Sequence, residues 1–249
     1  MKLISYFFLI ILTLSCSSKK NILFLQDSIS TENYPVNFDA NKIKSDDILK
    51  IKVSTESPEL SAIYNPISNN NNSKDSFLYN GYLVDNSGYI IFPVIGSVYV
   101  ANLSTNEVSD LIKRLLIDKG LLVNPSIDVK IINSYFTILG EVNNPGRYNF
   151  LENNMDILQA LGIAGDLTIN GQRKNIKLIR NVSGDLKIST LDLTSSKFLT
   201  DGTFQIKPGD VIIVNPNSSR IKNAGVIGNS GTLLTLLSFI LSSIIVISN

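Results

Sequence analysis

The feature that most constrains this chain is that both of its ends are apolar, so the charged residues of a soluble fold lie between them. Residues 3–14 are apolar apart from one serine and one threonine, and residues 224–249 contain no Asp, Glu, Lys or Arg. The mean hydropathy of +0.18 is high for a soluble protein. We therefore assign the excess apolar character to membrane-directed ends and expect the folded domains in the middle.

The N-terminal segment is typical of a secretory signal. Its apolar run is too short to span a bilayer as a helix, and it is closely followed by Cys16, the only cysteine of the chain. A signal that ends at a lone cysteine resembles a bacterial lipoprotein signal, which implies acylation of Cys16, for instance with palmitate. An ordinary secretory signal with an incidental cysteine is the alternative. Residues 1–15 are thus predicted to be the signal peptide, and residues 16–39 the acylated cysteine and a linker.

The C-terminal segment is predicted to be a transmembrane helix over residues 224–249. Residues 228–249 would form a helix about 33 Å long, close to the hydrocarbon thickness of about 30 Å. Small and polar residues recur along it at helical spacing and predict a stripe on one face. In one interpretation, the stripe packs a single membrane anchor against a neighbouring helix. In the other, the helices form a ring, and the stripe lines their contacts and so the lumen. Its members are Gly231, Thr235, Ser238 and Ser242.

The composition excludes most catalytic chemistry. The chain has no histidine and one cysteine, which removes the usual zinc sites, Ser-His and Cys-His catalysis, and any intramolecular disulfide. The net charge of +1 implies no basic face for nucleic acid. The adjacent Asp46 and Asp47 would point to opposite faces of a strand, which does not suit a glycosidase pair. We therefore predict no catalytic residue, no metal, no cofactor and no enzymatic activity.

The middle of the chain predicts two α+β units. In the first, strands surround a helix that begins with the capping pair Ser104 and Glu107 and carries apolar residues at i, i+3, i+4 and i+7. In the second, strands surround a short helix capped by Asn153 or Asn154, and a sheet with one such helix is of β-grasp type.

The stretch GEVNNPGRYNF, residues 140–150, predicts a strand, a turn and a returning strand. Pro145 fixes one backbone angle, and Gly146 is expected to supply the positive φ of a tight turn. Glu141 and Arg147 are candidates for a cross-strand pair. No nucleophile or histidine accompanies them, so the stretch is interpreted as a structural turn rather than a catalytic loop.

Two patterns in this middle region resemble the Wza-type outer-membrane polysaccharide export lipoproteins, in the same order. Residues 83–131 resemble the family's polysaccharide export domain, and residues 138–216 resemble the soluble-ligand-binding β-grasp (SLBB) domain that follows it. The predicted domains are therefore a polysaccharide export domain over 40–133 and one SLBB β-grasp domain over 134–218. The matching positions assigned to turns and structural roles are Asp85, Gly88, Pro93, Gly96, Gly140, Pro145, Gly146, Gly165, Pro208, Gly209 and Asp210. SDDIL at residues 45–49 and AGD at 164–166 depart from the family's usual GD and AGG.

The resemblance implies a function in polysaccharide export. It implies a ring-shaped homo-oligomer that passes a capsular polysaccharide or exopolysaccharide across the outer membrane of a Gram-negative bacterium. It also implies a lipid anchor, mainly periplasmic domains, and an inner-membrane polysaccharide co-polymerase as partner. The alternative is a saccharide-binding periplasmic or surface lipoprotein without a pore, which the particle size in mild detergent would distinguish.

Overall fold

The computed structural model describes residues 22–27, 33–65, 81–182, 184–223 and 230–247. The predicted signal peptide over 1–15 and the predicted lipid attachment at Cys16 lie outside these described residues. The described chain combines helices with mixed sheets, so the α+β prediction is confirmed.

The first unit combines a small sheet, a hairpin and one long helix. Strands β1 (Ile48–Ser54), β2 (Tyr82–Leu83) and β5 (Ser126–Ile131) form an antiparallel sheet in the order β2-β1-β5. Strands β3 (Tyr89–Phe92) and β4 (Gly96–Tyr99) pair separately as a hairpin. The short helix α1 (Pro58–Ser61) follows β1, and helix α2 (Thr105–Asp118) precedes β5. Apolar side chains from all these layers form one core, including Leu49, Val53, Phe92, Val98, Ile112, Leu116 and Val129.

Helix α2 begins where the capping pattern predicts. The Ser104 hydroxyl accepts a hydrogen bond from the Glu107 amide, and the Glu107 carboxylate accepts one from the Ser104 amide at 2.6 Å. This backbone bond, together with Lys42 at 2.9 Å, lowers the pKa of Glu107 to about 2. Val108, Ile112 and Leu116 are buried at i, i+4 and i+8, which confirms the apolar face.

The second unit is a five-stranded sheet with one helix packed on its buried face. Its strands are β6 (Tyr135–Gly140), β7 (Gly146–Asn149), β8 (Gly171–Val182), β9 (Asp185–Leu191) and β10 (Val211–Pro216), in the order β7-β6-β10-β8-β9. Only β6 and β10 run parallel, and the other neighbours are antiparallel. Helix α3 (Ile157–Ile163) buries Ile157, Ala160 and Leu161 in the core of this unit.

The cap of helix α3 differs from the prediction. Asp156, and not Asn153 or Asn154, accepts the hydrogen bond of the Gln159 amide at 2.8 Å. The Gln159 side chain accepts the Asp156 amide in return at 3.0 Å, which completes a capping box. This reciprocal pair satisfies two free amides, which a lone Asn cap would not do.

Part of the predicted linker is attached to the second unit. The Leu25 amide donates to the Leu193 carbonyl at 3.0 Å, and the Gln26 amide donates to the Thr194 carbonyl at 2.7 Å. The Asp27 carboxylate accepts hydrogen bonds from the Ser195 hydroxyl and the Ser196 amide, which lower its pKa. We call residues 22–27 the N-terminal strap.

The predicted transmembrane helix is corrected by the structure. The last two helices in the described ranges are α4 (Ser218–Asn223) and α5 (Ser230–Ile247), and no described helix combines the length and apolar character needed to cross a membrane. Helix α5 has 18 residues. Residues 224–229 and 248–249 of the predicted helix lie outside the described ranges.

Candidate functional site: the motif turns and the junction between the units

The first group of motif residues builds the turn before β3. The Asp85 carboxylate accepts hydrogen bonds from the Ser87 amide at 2.8 Å and the Tyr89 amide at 2.9 Å. Gly88 has a φ of +85°, and a Cβ on it would lie 2.5 Å from the Cβ of Ala101. Asp85 and Gly88 therefore fix the backbone that leads into the hairpin.

Pro93 and Gly96 lie at the tip of the β3–β4 hairpin. Gly96 has a φ of +91°, and the non-glycine Val94 beside it has a φ of +66°. The outward side of the hairpin is apolar: Ile91 is 79% exposed, and the rings of Tyr89 and Tyr99 meet edge to face at 5.1 Å. The hairpin thus combines a fixed turn with an apolar surface.

In the second unit, Gly140 has the positive φ that the sequence predicted for Gly146. Gly140 ends β6 with a φ of +91°, and a Cβ there would overlap the carbonyl oxygen of Val214 on β10. Gly146 is not among the residues with positive φ, and a Cβ on it would meet no atom within 4 Å. The predicted positive φ at Gly146 is therefore wrong.

The predicted pair between Glu141 and Arg147 is also wrong. Arg147 lies opposite Thr137 in the strand register, and its guanidinium carbon is 3.5 Å from the centre of the Tyr135 ring. Glu141 instead accepts a hydrogen bond from Thr168 at 2.8 Å and lies 3.3 Å from Arg220. The reason is that Glu141 lies beyond the paired part of β6.

The Asn-Asn-Pro-Gly segment, which contains Pro145, is wider than a tight turn because it packs on the residues after α3. The Asn143 amide donates to the Asp166 carbonyl at 3.1 Å, and the Asn144 amide donates to the Ala164 carbonyl at 2.9 Å. Gly165 has a φ of +78°, and a Cβ there would lie 2.8 Å from the Asn144 side chain. Two segments that were identified separately in the sequence therefore form one contact.

Both departures from the family pattern fall at backbone positions with positive φ. Asp46 has a φ of 69° and Asp166 has a φ of 68°. Each stands where the pattern has glycine, and Asp is one of the few other residues that visit this conformation routinely. The turns at these two positions are thus preserved.

The Pro208-Gly209-Asp210 segment is held by a buried ion pair. Gly209 has a φ of +89°, which confirms the glycine position of the predicted turn. Asp210 is 1% exposed and accepts hydrogen bonds from Arg180 Nε at 2.9 Å and Nη2 at 2.6 Å. Its carboxylate also accepts the Lys207 amide at 2.8 Å. The sequence identified Asp210 but gave no signal for Arg180, which lies on β8.

The two units meet through the segment that precedes the first unit. The Gln205 side chain accepts the Asp39 amide and donates to the Asp39 carbonyl, both at 2.9 Å. Lys207 lies 3.5 Å from the Asp39 carboxylate, and the rings of Phe38 and Phe204 are 6.2 Å apart. We call this region the junction.

The predicted stripe on α5 is solvent-exposed, and its serines bond within the helix. The Ser238 hydroxyl donates to the Thr235 carbonyl at 2.9 Å, and the Ser242 hydroxyl donates to the Ser238 carbonyl at 2.6 Å. Gly231 and Thr235 are exposed beside them, as are Leu234 and Phe239. A role for the stripe in helix packing stays a prediction.

Within the described part of the chain, no group of three or more His, Cys, Asp or Glu residues is placed to hold a metal ion. The motif residues instead fix backbone turns.

Comparisons with known proteins match both units. Residues 37–132 match a family described as polysaccharide biosynthesis/export protein, and residues 134–214 match the SLBB domain. One relative is the EPS I polysaccharide export outer membrane protein EpsA of Ralstonia solanacearum, 25% identical over 159 residues, or 62% of this chain and 41% of the relative. EpsA of Ralstonia nicotianae is 26% identical over 159 residues, which again are 62% of this chain and 41% of the relative. The chain thus spans about 41% of the length of these curated relatives.

Proposed function

The chain belongs to the Wza-type family of polysaccharide export proteins, which are not enzymes, and from this premise we propose that it carries a capsular polysaccharide or exopolysaccharide across the outer membrane. The observation that carries the proposal is the match of both units, in chain order, to the export and SLBB families. The names of the two Ralstonia relatives, which are outer membrane export proteins, support the same location.

The proposed working form is a closed ring of identical subunits around a polar lumen. Head-to-tail contacts that close on themselves generate such rings. We expect exposed apolar side chains on both units to contribute to contacts of this kind. Examples are Ile91 and Val123 on the first unit and Leu186 on the second, which are 79%, 92% and 72% exposed.

The mechanism is passage of the polymer without covalent chemistry. The motif residues contribute by fixing the turns, so the surfaces that face a neighbouring subunit keep a constant shape. An acylated Cys16 would hold the ring at the membrane, and an inner-membrane polysaccharide co-polymerase would deliver the polymer from the other side of the periplasm.

The proposal is tested by deleting the gene and measuring polysaccharide at the cell surface and in the periplasm. We expect surface polymer to be lost and to return when the gene is restored. Normal surface polymer in the deletion strain would refute the proposed function. Particle imaging in mild detergent tests the ring separately, since a monomer would favour a saccharide-binding lipoprotein without a pore.

A further inference from the structure

Helix α4 is attached to the second unit at the residue that precedes it, Asn217. The Asn217 amide donates to the Asn170 carbonyl at 2.7 Å, and its side-chain amide donates to the Ile169 carbonyl at 3.4 Å. The Asn217 side-chain oxygen accepts the Arg220 amide at 2.9 Å, so the same residue is the N-cap of the helix. These hydrogen bonds fix the point at which α4 begins.

A second contact holds α4 one turn further on. Arg220 Nε donates to Glu141 Oε1 at 3.3 Å. A helix that is attached only at its first residue can pivot about that residue, whereas a helix attached at two points has a fixed direction. We call the contact between Arg220 and Glu141 the latch.

Glu141 can fix this direction because its own position is fixed. Its amide donates to the Val214 carbonyl on β10 at 2.9 Å, and its carbonyl accepts the Thr168 amide at 3.0 Å. The second carboxylate oxygen, Oε2, accepts the Thr168 hydroxyl at 2.8 Å. The Glu141 side chain is 20% exposed, whereas that of Arg220 is 60% exposed. The latch therefore restricts one free side chain rather than two, which lowers the entropy cost of the ion pair.

The direction of α4 affects the helix that follows it. Helix α5 begins at Ser230 and carries exposed apolar side chains at i, i+3 and i+4, namely Leu236, Phe239 and Ile240. In a closed ring of identical subunits, every subunit presents its contact surfaces in the same direction. A C-terminal helix that contributes to such contacts has to leave every subunit at the same angle.

We propose that Glu141 is a positioning residue, which holds α4 on the second unit through Arg220 and so sets the direction in which the C-terminal helix leaves this unit. This gives Glu141 a role that is separate from the turn that follows it. That the direction matters for export rests on the proposed function, whereas the latch itself is independent of it.

The latch is tested by digesting the purified full-length protein with an endoprotease that cleaves after lysine. Lys222 is the last lysine of the chain, so cleavage in α4 releases one defined product, residues 223–249. Cleavage within a helix requires local opening, and its rate therefore reports how firmly α4 is held. We expect Glu141→Gln to release this product about two- to fivefold faster than the wild type, the scale of one exposed ion pair.

Glu152→Gln is the matched control. Glu152 is an exposed carboxylate of the same unit, and it accepts the amide of the adjacent Leu151 at 3.0 Å. This variant should be cleaved at the wild-type rate. Thermal melting of all variants checks that the fold is kept.

A double-mutant cycle separates the latch from a general effect on the fold. Arg220→Gln leaves the cleavage site at Lys222 intact and should accelerate cleavage as much as Glu141→Gln does. Because both substitutions remove the same contact, the double variant should be cleaved no faster than either single variant. A Glu141 that only stabilised the second unit would give additive effects instead.

The role in export is tested by restoring the deletion strain with each variant at equal protein abundance. We expect surface polymer to fall at least about twofold with Glu141→Gln and with Arg220→Gln, in line with the loss of one exposed ion pair, and to be normal with Glu152→Gln.

Equal cleavage rates of Glu141→Gln and Glu152→Gln, or additive effects in the double variant, would overturn the latch. Faster cleavage of Glu141→Gln with normal surface polymer would overturn its role in export. If the deletion strain itself exports normally, the proposed function fails, and the cleavage rates alone decide whether the latch exists.

Discussion

Replacing Gly140 by alanine should destabilise the second unit severely. The residue has a φ of +91°, and a Cβ there would overlap the carbonyl oxygen of Val214. A side chain in this backbone conformation costs about 1–3 kcal/mol. Relief of the overlap would also separate β6 from β10 and break the 2.9 Å bond from the Glu141 amide to Val214, at about 1 kcal/mol. The expected loss is therefore about 2–4 kcal/mol of an unfolding free energy of roughly 5–15 kcal/mol.

Gly146→Ala provides the matched control. It is the same substitution at the start of the paired strand, but φ is not positive and no atom lies within 4 Å of the new Cβ. We expect it to be neutral, or to stabilise by up to about 1 kcal/mol through the unfolded state. Both variants are measured by urea unfolding followed by circular dichroism, because the chain contains no tryptophan. Equal urea midpoints for the two variants would refute the reasoning.

Three further predictions concern a buried charge, an exposed charge and the lipid anchor. Asp210→Asn should cost roughly 3–5 kcal/mol in urea unfolding, because it leaves Arg180 without its buried counter-ion; a loss below about 1 kcal/mol would contradict this. Glu107 has its pKa lowered from 4.5 to about 2, so its stabilising contribution is complete above pH 4.5 and is lost as the pH falls towards 2. Glu107→Gln should remove this part of the pH dependence of the urea midpoint, and an unchanged pH profile would contradict the assignment. Cys16→Ala should abolish incorporation of labelled palmitate and release the protein from the membrane fraction, whereas continued labelling would exclude Cys16 as the attachment site.

The sequence predicted the local features of the fold better than the distant ones. Helix α2 was predictable because its capping box and apolar face lie within a few residues of each other. The positive φ at Gly140 was not, because it depends on a contact with Val214, which is remote in sequence. A Pro-Gly pair shows that the chain turns, but it does not show which nearby glycine adopts the unusual conformation.

The sequence identified at most one residue of each contact in the candidate site. The motif identified Asp210, but its partner Arg180 lies on a strand where an arginine carries no distinguishing pattern. The hydrogen bonds between Asp39 and Gln205 likewise join two residues that no local rule connects.

The N-terminal strap determines where a mechanical load would enter the molecule. The amides of Leu25 and Gln26 donate hydrogen bonds to the carbonyls of Leu193 and Thr194, and the Asp27 carboxylate accepts hydrogen bonds from Ser195 and Ser196. A pull on the chain before the strap is therefore resisted first by the second unit. Tension reaches the first unit only after these hydrogen bonds have broken, so the strap shields the export domain from the applied force.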